Sequence, residues 1–327
     1  MTTTMNDAGV EMESVESFRL RAREWLAANV ERAEGGFGFG RHGSDEEELA
    51  FIAEMRELQR TYYEAGFAGI CFPKEYGGQG LSPAHQRAFN DEVSGYRFPH
   101  IIQIPTFVPC AAVLFEFGTE QQKREHLPKM MSGEEIWMQL LSEPSGGSDV
   151  AGALTTAVRD GDEWVLNGSK IWTSGAYFSD YGLCLLRTNW DVPKHRGLSV
   201  FIVKLHQPGI EMHRIEMTNG TREFCQEFIT DVRVPDSDRV GEVDDGWTIG
   251  TRWMFHERNA MGGGSPYVSG ARHGAAPADS GSRDSLFELA RATGQLDDPV
   301  ARDRIAEGIV LGRVHGRPRG CCGVAAP

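Results

Sequence analysis

The sequence is short of the features that mark several protein classes. Six cysteines in 327 residues, at positions 71, 110, 184, 225, 321 and 322, form no CxxC pair and no metal-ligand spacing. Neither a disulfide framework nor a metal centre is indicated, and a reducing, cytoplasmic setting is expected. Basic residues are outnumbered, 33 Lys and Arg against 47 Asp and Glu, for a net charge of −14. An even anionic field disfavours DNA, RNA and anionic lipid, which need clustered Lys and Arg, so no nucleic-acid partner is expected. No run reads as long enough to cross a membrane. The opening MTTTMNDAGVEMESVES is acidic where a signal peptide needs a basic flank, so membrane insertion is not expected. What is present is a hydrophobic fraction of 40%, typical of a packed soluble protein, in a chain long enough for two or three domains.

The first third is written in helical periods. Over residues 14–33, Val15, Phe18, Ala22, Trp25, Leu26 and Val30 form one apolar stripe, which predicts an amphipathic helix. Ser44-Asp45-Glu46-Glu47 reads as a capping box opening a second helix that stops at Gly66. Further helices are expected over 83–95, 108–117 and 119–131. After Glu135 the texture turns to short β-rich runs over 163–166, 169–173, 182–186, 198–203, 210–215 and 224–229. Asn167-Gly168, between two such runs, reads as a hairpin turn. A helical period returns over 246–261. Residues 271–284 are rich in Gly, Ser, Ala and Pro and read as a flexible linker, and helices are expected over 285–292 and 299–311.

Four short stretches could carry chemistry, each with a plainer alternative. Gly38-Phe39-Gly40-Arg41-His42-Gly43 matches GxGxxG, but a dinucleotide-binding turn needs a preceding strand and a helix precedes it here, so a loop is the better account. Ser142-Glu143-Pro144-Ser145-Gly146-Gly147-Ser148-Asp149 would let backbone N–H groups approach an anionic or heteroaromatic ligand, or is simply a connecting turn. Trp172-Thr173-Ser174 sets an indole beside two hydroxyls, a wall for a flat ring or a piece of core. In His256-Glu257-Arg258, the glutamate is either a general base or half of a surface ion pair.

Taken in order, four stretches resemble the acyl-CoA dehydrogenase family of flavoproteins. They are Phe72-Pro73-Lys74-Glu75-Tyr76-Gly77-Gly78-Gln79-Gly80-Leu81-Ser82; residues 142–149 with Val150-Ala151-Gly152; Asn167-Gly168-Ser169-Lys170-Ile171-Trp172; and residues 228–235 ahead of the helix with Glu257-Arg258. Their joint spacing, over about residues 14–265, is far more specific than any one of them. The resemblance implies an α+β fold: an N-terminal all-α domain (1–135), a middle β-barrel or sandwich domain on the flavin side (136–245), and an incomplete C-terminal helical bundle (246–327).

The resemblance also implies an oxidoreductase of lipid metabolism that uses FAD to convert an acyl-CoA thioester into a trans-2-enoyl-CoA. A carboxylate takes the α-proton, hydride passes to flavin N5, and an electron-transferring flavoprotein is the usual acceptor. Gln139, Leu141, Ser142, Trp172 and Ser174 fall where the family lines the flavin, although other members carry an aromatic at the place of Gln139. Gly147 and Ser148 fall near the cofactor phosphates or the substrate mouth. Glu257 matches the base of members that carry it on the first C-terminal helix immediately before an Arg, and Ser148, Met254 and Arg258 fall on the substrate side. The text after Ser285 reads as ending before the bundle is complete, with RPRGCCGVAAP resembling neither a cap nor a strand. A homo- or hetero-oligomer is therefore expected. A non-catalytic partner subunit, an acyl-CoA oxidase and a flavin monooxygenase of the same fold stay open as alternatives.

Overall fold

The computed structural model describes residues 3–5, 11–33, 43–261, 265–267 and 283–315. The GxGxxG stretch apart from Gly43, most of the expected linker, and RPRGCCGVAAP lie outside the described residues. The chain divides into two compact units, Met1–Arg272 and His273–Pro327.

The first unit opens with an antiparallel pair, β1 (Thr3–Met5) and β2 (Glu11–Glu13). Three helices follow, α1 (Val15–Asn29), α2 (Asp45–Glu64) and α3 (Pro83–Glu92). The capping box read from the sequence is formed: the Glu47 N–H donates to Ser44 Oγ at 3.2 Å and the Ser44 N–H to Glu47 Oε2 at 2.7 Å. Helix α2 stops where expected, at Gly66, whose φ of +77° no β-carbon favours. The stripe of α1 delivers Phe18, Ala22 and Leu26 into a core with Tyr62, Phe67 and Phe89. Each of these phenylalanines is fully buried and contributes about 2–3 kcal/mol.

The next helix is longer than the sequence suggests. It begins at His100, not Val108, and runs as α4 (His100–Pro105), a π-helical stretch (Thr106–Ala111) and α5 (Ala112–Phe117). Pro109 has no N–H to give the carbonyl four residues back, and the wider spacing of the π-helical stretch accommodates that loss. These 18 residues are long and apolar enough in composition to cross a membrane, contrary to the sequence reading, but 61% of that span is buried within the protein. It is the central core helix, contributing Phe107, Val108, Ala111, Val113 and Leu114. Helix α6 (Glu120–Ser132) follows behind a Thr119/Gln122 capping box.

Eight strands then form one sheet: β3 (Trp137–Leu140), β4 (Thr156–Asp160), β5 (Glu163–Ser174), β6 (Tyr181–Arg187), β7 (Leu198–Lys204), β8 (Ile210–Ile215), β9 (Phe224–Pro235) and β10 (Arg239–Val240). The order is β10-β7-β6-β4-β5-β9-β8, with β3 pairing β6 in parallel. Strand β6 faces two cores. Leu183 and Leu185 pack with the helices, while Cys184 and Leu186 pack with Trp164, Leu166, Ile229 and Val232 of β5 and β9. The sheet thus wraps around a core of its own. Helix α7 (Gly246–Met261) lays Ile249, Trp253 and Ala260 into the helix-side core.

The hairpin expected at Asn167-Gly168 does not form. The turn joining β4 to β5 lies at Gly161 and Asp162, and β5 runs straight through Asn167 and Gly168 with a register shift against β9. Gly168 is needed for close approach: a β-carbon there would meet the Cα and side chain of Thr155 at 2.6–2.7 Å. Asn-Gly therefore lies within a central strand opposite a bulge in β9, where Asp231 takes a φ of +49°.

The second unit holds α8 (Arg283–Ala292) and α9 (Pro299–His315), with Ala290 and Ile305 buried.

Candidate active site

Strand β3 and helix α7 bring together residues 118 positions apart. Gln139, half-buried on β3, lies against two residues of α7 one turn apart, Trp253 and Glu257. The Trp253 Nε1–H donates to Gln139 Oε1 at 2.8 Å, and Gln139 Nε2 donates to Glu257 Oε1 at 3.1 Å. An indole N–H can only donate and a carboxylate can only accept, so the amide has one orientation that satisfies both. Glu257 is half-buried with its carboxylate turned to β3, Met254 is half-buried, and Arg258 is exposed. Among the described residues no ion pair joins Glu257 to Arg258. The ion-pair alternative for that dipeptide is therefore not what the structure forms.

The next residues on α7 are clamped from the other side. Arg252 donates to Glu116 of α5 at 2.6 and 2.9 Å, and buried His256 meets Glu116 Oε1 at 2.9 Å. Burial pushes the Glu116 carboxyl up, but the hydrogen bonds from Arg252 and His256, with the Arg252 charge, outweigh it and hold the carboxyl below its usual range. Burial likewise pushes His256 down against the pull of Glu116, favouring the neutral ring.

The loop that follows β3 is fixed by a buried ion pair. Lys170 has no exposed surface and donates from Nζ to Glu143 Oε1 at 2.8 Å, Leu185 O at 2.6 Å and Leu141 O at 3.2 Å. Glu143 also accepts from the N–H groups of Leu154 (2.6 Å) and Thr155 (3.0 Å). The Ile171 N–H donates to Ser142 O at 3.0 Å. Leu141 and Ser142 are thereby tied to the end of β5 that carries Trp172. Burial pushes the Glu143 carboxyl up, but Lys170 outweighs it and holds it below the ordinary range.

Trp172 sits at a second register shift in β5, at a φ of +66° and with 52% of its surface exposed. Its ring edge meets Phe224 at 5.8 Å. A bulky residue held left-handed is strained, and such strain clusters at ligand clamps. Thr173 points inward and donates to buried Glu227 at 2.9 Å. Half-buried Ser174 lines a small, partly open pocket with Met138, Phe178 and Glu223. Gly147 and Ser148 lie on the exposed arc of the loop, and a β-carbon at Gly147 would meet nothing within 4 Å.

The structure thus joins Gln139 to Glu257 and ties Leu141 and Ser142 beside Trp172. No described hydrogen bond links Gly147, Ser148 or Arg258 to those two clusters. Sequence reasoning gave no role to Lys170, Glu143, Trp253 or Glu116. For Lys170 a signal was available, because Trp164, Leu166, Gly168 and Lys170 alternate on one face of a strand and put a lysine on the buried side. The contact of Gln139 with Glu257 leaves no such trace.

Comparison with known proteins places this architecture. The sequence profile of the acyl-CoA dehydrogenase N-terminal domain matches residues 13–134 and that of the middle domain matches residues 139–232. These domains define a class of flavoprotein oxidoreductases of fatty acid and lipid metabolism. The chain is 38% identical over 296 residues to acyl-CoA dehydrogenase IpdE1 of Mycobacterium tuberculosis, covering 90% of this chain and 73% of that protein. Among solved structures, the Tcur3481-Tcur3483 steroid ACAD matches at 30% identity and a TM-score of 0.65, covering 93% of this chain and 74% of that one. The ChsE4-ChsE5 complex from Mycobacterium tuberculosis matches at 29% identity and a TM-score of 0.65, covering 96% and 75%. The chain belongs to the acyl-CoA dehydrogenase family, whose members depend on FAD, and it spans about three quarters of these relatives' lengths.

Proposed function

We propose that the chain oxidises an acyl-CoA thioester to the trans-2-enoyl-CoA, with Glu257 as the base for the α-proton. The observation that carries this reading is the Gln139 bridge, which turns the Glu257 carboxylate away from Arg258 and toward the strand leading into Leu141 and Ser142. Oε1 is engaged by the amide, and Oε2, with no hydrogen-bond partner among the described residues, is the oxygen that takes the proton.

The residues present suit FAD. A half-exposed indole in a strained conformation, with Ser142 tied beside it, is a wall and a polar edge for a flat heteroaromatic ring. Trp172, Leu141 and the hydroxyls of Ser142 and Ser174 would hold the ring, with Gly147 and Ser148 nearer the phosphates. FAD, when bound, supplies the two-electron acceptor for the β-hydride. The α-C–H bond breaks to leave its proton on Glu257, and the Cα–Cβ bond gains the double bond. Ser148, Met254 and Arg258 belong to the substrate side. An electron-transferring flavoprotein is the acceptor in this reading, and the free thiols of Cys71, Cys110, Cys184 and Cys225 support a cytoplasmic location. The domain division at about 135 and 245 is part of the same reading.

The solved relatives titled as a steroid ACAD and as a two-protein complex support a steroid-derived acyl group and an assembly of unlike subunits. The latter title also favours a second reading, a non-catalytic partner subunit. One experiment separates them. The flavin-loaded chain should bleach anaerobically on adding a steroid-derived acyl-CoA, and Glu257→Gln should slow bleaching by orders of magnitude with FAD retained. A colourless protein supports the second reading, unchanged bleaching in the variant removes Glu257 as base, and hydrogen peroxide release in air indicates an oxidase.

A further inference from the structure

We infer that Gln139 is a positioning residue for this reaction: its amide, oriented by Trp253, sets the direction of the Glu257 carboxylate and which of its two oxygens is left free. The inference rests on the reading of Glu257 as the base and goes beyond it, since the resemblance puts Gln139 at the flavin wall.

The geometry gives three reasons. Trp253 is fully buried, so its indole N–H requires an acceptor, and Gln139 Oε1 at 2.8 Å is that acceptor. With Oε1 committed, only the NH2 end can reach Glu257, and it does so at 3.1 Å. Both ends of the amide are therefore used within the protein, on one side by a residue that cannot reverse its role. The donated N–H fixes one of the two carboxylate oxygens and leaves the other free. Trp253 and Glu257 are four residues apart on one helix, so Gln139 reads their spacing and holds the rotation of α7 against β3. Glu116 meets the same helix from α5 through Arg252 and His256, which leaves the Glu257 carboxylate to Gln139.

The test uses the full flavin-loaded chain with Gln139→Leu, Gln139→Met, Gln139→Glu and Glu257→Gln. Loss of a hydrogen bond to a charged group predicts reductive bleaching slowed about ten- to a hundredfold in Gln139→Leu, with substrate affinity and FAD content retained. The loss should fall on kcat, with KM little changed. Gln139→Glu, which as a carboxylate has no N–H to give Glu257, should be at least as slow. Gln139→Met, similar in length and without polar atoms, repeats the Leu result should that variant fold poorly. A cofactor-free readout is the infrared carboxylate stretch assigned by difference from Glu257→Gln, whose frequency should shift in Gln139→Leu as the hydrogen bond is lost. An unmoved carboxylate stretch together with lost FAD or an altered flavin spectrum would return Gln139 to the cofactor wall and overturn the proposal. Normal bleaching in Glu257→Gln sinks the base reading and this inference with it, whereas slow Glu257→Gln beside an unaffected Gln139→Leu sinks only the inference.

Discussion

Removing the ammonium group of Lys170 probes the frame on which the site is built. Lys170→Met keeps most of the side-chain volume and deletes three hydrogen bonds, to Glu143, Leu185 O and Leu141 O. It leaves the Glu143 carboxylate, whose side chain is 4% exposed, with only the Leu154 and Thr155 amides. Taking one partner from a buried pair costs about 3–5 kcal/mol, because the other charge is left uncompensated. For a unit of this size that lowers Tm by roughly 6–20 °C. Urea unfolding at pH 7, followed by tryptophan fluorescence, should show this loss for Lys170→Met. The double variant Lys170→Met/Glu143→Gln should be more stable than the sum of the singles by about 1 kcal/mol or more.

The pH dependence follows from the lowered Glu143 value. The folded state holds that proton less tightly than the unfolded chain. The contribution of the pair is therefore full above the ordinary carboxylate range and fades as pH falls through the lowered value. The deficit of Lys170→Met should shrink correspondingly in acid. A loss under about 1 kcal/mol at pH 7, or strict additivity in the double variant, would refute a pair that is both buried and coupled.

Other substitutions test the remaining parts of the frame. Glu227 is buried, accepts from Thr173 through Oε2, and has no partner for Oε1 among the described residues; burial pushes its carboxyl up to about 7. Between the ordinary carboxylate value and 7 the folded state keeps a proton the unfolded chain has released, so this group makes stability fall as pH rises through that window. Glu227→Gln should remove the fall and be the more stable protein at pH 8 by about 2–3 kcal/mol. Urea midpoints measured from pH 4 to 8 check this, and parallel curves would contradict it. Gly168→Ala drives a methyl into Thr155 at 2.6–2.7 Å from a φ of +148°. It should destabilise by about 1–3 kcal/mol, and an unchanged unfolding midpoint would show that β5 can shift to make room.

Helix stripes and caps were legible in the sequence because their causes are local. Ser44 with Glu47 and Thr119 with Gln122 form boxes within four residues, and Phe18, Ala22 and Leu26 share a face by helical period alone. Asn167-Gly168 misled because both a hairpin turn and a close approach of neighbouring backbone need glycine, and only β9 and Thr155, packed on either side, select the continuous strand. The start of the central helix at His100 lies eight residues before the one expected at Val108, because a π-helical stretch within the core accommodates Pro105 and Pro109, which local rules disfavour inside a helix. The candidate site residues were named from their order along the chain, but their partners were not.

Residue order and spacing alone determined the family, the succession of helical and β segments, and Glu257 as the carboxylate to examine. These follow from periods of a few residues and from a fixed series of short motifs. Folding decided that Glu257 faces Gln139 and not Arg258, that Lys170 is spent on the loop bearing Ser142, and that Trp172 stands strained and half in solvent. Each of these contacts joins segments between 27 and 118 residues apart or depends on a neighbouring strand. Pairing across such distances is a property of packing, on which no local pattern in the chain has any hold.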